Sequence, residues 1–230
     1  VCSSDLDPIK DTAMNEISNR VRSNVPAVVL TLLGIIQALA LEQLWTHVLH
    51  SDVLYALNWQ TLTTWTQIFT TLIAIILVWL VYAVNVTRFR WLPTVYEFIL
   101  PFWVGFIQLL VIQALATTAI GFWFILMGVL FGTMIWIAQT TLRKARLDGG
   151  NASFFATIPP ATWSDFLPTL TIIGLILTFG LYAAIFKTGD LTNLSMLLIM
   201  LLFACLHFKA LTDGWQRSLS PNDNPTPPGC

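Results

Sequence analysis

Charge is what this sequence has least of. Asp, Glu, Lys and Arg make up 10% of its 230 residues, against about 25% in a soluble domain. An aqueous fold of this length would have too few charged side chains to cover itself, so lipid is the expected solvent for much of the chain. A net charge of −1 gives no electrostatic attraction to nucleic acid, and no nucleic-acid partner is expected. Cysteine is scarce as well. Cys2, Cys205 and Cys230 form no C-x-x-C and no even-numbered framework, which argues against a structural disulfide or a thiolate metal site. No Walker loop, G-x-S-x-G or H-E-x-x-H is present, so the usual nucleotide, acyl-transfer and zinc-protease patterns are missing. Lys187 and Lys209 stand at the ends of apolar segments, leaving no mid-membrane lysine for a Schiff base. No cofactor is expected.

Apolar residues are abundant: 56% of the chain, with a mean hydropathy of +0.74. The longest uncharged run lies between Glu97 and Arg143. It is roughly twice the ~20 residues that one helix needs to cross ~30 Å of hydrocarbon. Two membrane helices joined near Thr117–Gly121 are therefore expected, with the other helices packed around them. The full pattern predicts six spans, at about 25–49, 61–87, 93–116, 120–142, 166–186 and 191–209. Asn24 is a candidate N-cap for the first. The fold class is all-α: a polytopic membrane protein of six transmembrane helices in three hairpins.

Lys10, Arg20, Arg22, Arg88, Arg90, Arg143, Lys144, Arg146, Lys209 and Arg217 fall on one side of six spans, and Lys187 on the other. The positive-inside rule makes the first side cytoplasmic and puts both termini inside. Residues 1–24 form a polar cytoplasmic segment, residues 25–209 the membrane domain, and residues 210–230 a cytoplasmic tail expected to be largely disordered, Pro-, Asn- and Ser-rich from Ser218 onward. Val1–Leu6 reads as a translated sequencing adapter (GTG TGC TCT TCC GAT CT), with Met14 as a plausible start. The expected location is an integral membrane, a bacterial inner membrane, with the lipid bilayer, a second copy or other membrane subunits as partners.

Ionisable groups inside a membrane segment are functional candidates because they are costly there. Gln37, Glu42, Glu97, Gln108 and Gln139 are the candidates for a polar or ion pathway. Glu97, Pro101, Gly105 and Gln108 share one helical face at ~100° per residue. Pro101 frees a backbone carbonyl and is a candidate hinge. The alternative for Glu97 is an interfacial anchor paired with Arg88 or Arg90. Gly34, Ala38 and Glu42 form a small-residue stripe on the first helix. Gly121, Gly128, Gly132 and Gln139 form another on the fourth, and Gly174 with Thr171, Thr178 and Tyr182 a third on the fifth. Such faces let helices approach closely. His47 and His50 are weak candidates for a metal. These features predict a small ion, proton or solute transporter or channel. The alternatives are a non-catalytic membrane subunit or scaffold, and a membrane enzyme. A shared polar cavity from Glu97 towards Glu42 would favour transport.

Overall fold

A computed structural model describes residues 8–56, 58–91, 94–115, 119–156, 162–186 and 188–219. The described residues form seven α-helices: α1 (Pro8–His50), α2 (Trp59–Arg88), α3 (Val95–Leu115), α4 (Ile120–Leu147), α5 (Ala152–Phe155), α6 (Trp163–Ile185) and α7 (Asp190–Leu219). Single 3-10 turns precede α2 and α5. All but the four-residue α5 are long and apolar enough to cross a bilayer. Hydrocarbon offers no partner to backbone amides, so helices that satisfy their own are the stable solution. The chain is an integral membrane protein.

Four helices make the centre. α1 packs on α2 and α3, and α3 packs on α4. Leu33, Val104, Trp123 and Met127 are sealed from solvent among them. The Trp123 indole N–H donates to Thr71 Oγ1 at 3.2 Å, tying α4 to α2. The last two long helices stand outside: α6 lies along α4 and α7 along α2. Among the described residues α6 and α7 barely touch each other. The expected third hairpin is thus corrected: its arms are splayed, because each has a better partner in the central four. α4 and α6 meet at glycine. A Cβ on Gly180 would lie 2.9 Å from Ile125 N and 3.0 Å from Gly121 O, closer than side chains allow, so only hydrogen lets these backbones touch.

Other expectations also shift. α1 starts at Pro8, so Asn24 lies within it and caps nothing. The packing face of α1 is Val29, Leu33, Gln37, Ala40 and Leu44, not the stripe Gly34, Ala38 and Glu42. Ala38 and Glu42 are exposed, and a Cβ on Gly34 would meet nothing within 4 Å. Gly132 and Gly174 likewise have open space beside them. α6 turns Ile173 and Ile176 inward and leaves Thr171, Gly174, Thr178 and Tyr182 exposed. Residues 1–7, 116–118 and 220–230 lie outside the described residues, and with them Val1–Leu6, the tip of the α3–α4 turn and most of the tail.

Candidate functional site: a chamber at the basic end of the bundle

The end of the bundle that carries Arg88, Arg90, Lys144 and Arg146 holds a cavity of about 530 Å³ between α1, α2, α3 and α4. Ligand sites commonly occupy ~300–1,000 Å³. Its upper wall is apolar: Val29 of α1, Val81 of α2, Leu100 of α3 and Ile137 of α4. Its lower wall mixes the polar side chains of Tyr82, Asn85, Arg88, Glu97, Thr141 and Asn151 with Val25, Val86, Phe89 and Trp91. Tyr82 and Asn85 are three residues apart on α2 and so share a face. At the rim Thr87, Arg90 and Gly150 are exposed.

The floor is built by side chains that fasten two loops together. α2 ends where Phe89 turns extended, its N–H donating to Asn85 O. Asn151 then clamps the segment beyond. Its Nδ2 donates to Arg90 O at 2.6 Å and to Ala145 O at 2.7 Å, and its Oδ1 accepts from Arg90 N at 3.1 Å. The Arg88 guanidinium lies over the rings of Phe89 and Phe154, 5.3 and 5.2 Å from their centroids. Cation–π contact holds it in place, but no carboxylate pairs with it among the described residues. Arg88 Nε and the Tyr82 hydroxyl are both buried with no hydrogen-bond partner there.

Glu97 is fully engaged. Its Oε1 accepts from Lys144 Nζ at 2.9 Å, and its Oε2 accepts from Thr94 N at 2.7 Å and from the Trp91 indole at 3.4 Å. The partner is therefore Lys144, not Arg88 or Arg90, because the last turn of α4 comes down beside the first turn of α3. Thr94-x-x-Glu97 has the spacing of a capping box, and the carboxylate does satisfy the amide at the start of α3.

The remaining candidates do not join Glu97. Gln37 and Gln108 are buried and bond to each other across α1 and α3, at 3.0 and 3.4 Å. Pro101 and Gly105 are buried on the same face of α3. Gln139 lines a separate side cleft of about 230 Å³ with Phe166, Thr169 and His207. Glu42 is corrected: it is exposed rather than inward, about 12 Å before α1 ends at His50. His50 Nδ1 contacts Thr46 O, and the described residues hold no cluster of three metal-ligating side chains.

No protein-family model, no curated protein and no solved structure matches this chain. Sequence reasoning missed Tyr82, Asn85, Arg88 and Asn151 as parts of one site. Two polar residues at helical spacing near the end of an apolar run were the available signal for the first pair. Nothing local marks Asn151, whose partner Arg90 is 61 residues away.

Proposed function

We propose that the protein is a small-solute carrier that loads this chamber from the side bearing the basic residues, and that it is not a channel. The supporting observation is where the cavity stops. Its walls end at Val29, Leu100 and Ile137. Gln108 lies eight residues, about 12 Å, beyond Leu100, and its amide is closed on Gln37. A channel needs a continuous polar path. Beyond the chamber, the described buried polar side chains of α1 to α4 are that amide pair and Thr66, Gln67, Thr70 and Thr71 of α2. The three threonine hydroxyls bond back to carbonyls of their own helix, among packed apolar side chains. A carrier open to one side has a blind chamber. Pro101, one residue past the chamber wall, removes a backbone hydrogen bond and gives α3 a place to bend. By the positive-inside rule the chamber faces the cytoplasm, with both termini inside, in a bacterial inner membrane.

A second reading, a non-catalytic subunit with a static binding chamber, is favoured by one observation: neither acid is free inside the bundle, Glu97 being paired to Lys144 and Glu42 exposed on the outside of α1. Thiol labelling separates the readings. In a protein with Cys2, Cys205 and Cys230 replaced by Ser, Val29→Cys should react with an impermeant maleimide from the basic side only. In a carrier, Val111→Cys, one turn beyond the amide pair and buried, should react slowly from the opposite side as the protein turns over. Labelling at Val29 with none at Val111 leaves the static subunit. No labelling at Val29 rejects the chamber as an aqueous site.

A further inference from the structure

We infer that the chamber's ligand is an oxyanion, a carboxylate or a phosphate, carried on a short apolar body. The inference rests on the chamber being a binding site and adds the chemical class that it takes. Three observations meet in one place. Arg88 is a cation with no acidic partner among the described residues, its Nε buried and unpaired. Tyr82 is 7% exposed, and its hydroxyl is likewise buried and unpaired. Both line the cavity, six residues apart on α2.

An N–H and an O–H hidden from water without acceptors are costly to leave so. What each of these donors lacks is an acceptor, and beside a guanidinium an anionic acceptor is held most strongly. Among the described residues the one acid that lines the chamber is Glu97, and Lys144 neutralises it at 2.9 Å. Arg88 and Arg90 therefore leave the local field positive. A cationic ligand finds no free carboxylate among the described residues that line the chamber. Above these donors the wall changes to Val29, Val81, Leu100 and Ile137, which an alkyl group can cover but a second charge cannot. A bare inorganic ion would leave that upper half empty, so the anion brings its own apolar portion. The Arg88 guanidinium lies beside the Phe89 and Phe154 rings, which meet edge to face, and its planar fork of donors is one that lysine does not reproduce.

The probes are octyl phosphate, octanoate, octylammonium and inorganic phosphate, applied to the full-length protein in a neutral detergent. The readout is protection of Val29→Cys from maleimide. Octyl phosphate and octanoate should protect saturably, inorganic phosphate weakly and octylammonium not at all. Arg88→Gln should weaken protection about 10- to 100-fold, the loss of one charge-assisted hydrogen bond. Arg88→Lys should recover only part of it, and Tyr82→Phe should cost about fivefold while leaving thermal stability unchanged. Two further arms identify the source of the anion. Protection by phosphatidylglycerol but not phosphatidylcholine in nanodiscs assigns the ligand to the leaflet. Protection by the soluble anions alone assigns it to a free solute. Equal protection by octylammonium, or protection by anions that survives both Arg88→Gln and Tyr82→Phe, overturns the inference. So does a chamber that labels at Val29 but is protected by no anion, an outcome that leaves the one-sided chamber itself standing.

Discussion

At the scale of single residues, the amide pair Gln37–Gln108 ties stability to pairing. Each amide is buried and each is the other's partner. An interhelical hydrogen bond within a membrane contributes on average ~0.6 kcal/mol, yet orphaning one of its members costs ~1–3 kcal/mol. Gln37→Leu and Gln108→Leu alone should therefore each destabilise the protein by about 1–2 kcal/mol. Together they should cost clearly less than the sum, since the double variant leaves no unpaired amide. Reversible unfolding in detergent measures the cycle, and additive losses would show that the two side chains do not act as a pair. The depth of Gln37 and Gln108 was legible in the sequence, because both sit midway along apolar runs. Their pairing was not, since it depends on how α1 and α3 slide past each other, 71 residues apart in the chain. Glu97 was legible as a polar point on an inward face. Its partner Lys144, 47 residues away, was not.

At the scale of helices, glycine divides into positions that a neighbour reaches and positions that none does. Gly121 and Gly180 face each other across α4 and α6, with the Gly180 carbonyl 2.6 Å from where a Gly121 Cβ would stand. Gly132 and Gly174 have nothing within 4 Å of theirs. Gly180→Leu should force α6 away from α4 and lower stability by about 1–3 kcal/mol, the usual cost of overpacking. Gly174→Leu should stay near wild type. Thermal unfolding of the two variants side by side checks this, and an equally damaged Gly174→Leu would reject the assigned faces. Small-residue stripes in the sequence show where a backbone is capable of close approach. They do not show whether another helix arrives, and that is why Gly34, Gly132 and Gly174 were misread while the spans themselves were not. Span prediction uses the hydropathy of each segment alone, and needs no neighbour.

At the scale of the molecule, two ends of unlike charge follow from six crossings. Asp52→Cys and Asp190→Cys, both exposed at the end away from the chamber, should label from outside cells. Ala152→Cys, exposed beside the chamber floor, should label only in inverted vesicles. Outside labelling at Ala152 would reverse the orientation and with it the side from which the chamber fills. The chamber has a further property that concerns time rather than space. Every described residue lining it lies between Val25 and Asn151, and α6 and α7 supply none. Chains leave the ribosome N-terminus first. Four helices and the Asn151 clamp can therefore assemble the whole chamber while the last two spans are still being translated. Each late helix then docks on a different, already folded surface, α6 on α4 and α7 on α2, so neither has to wait for the other.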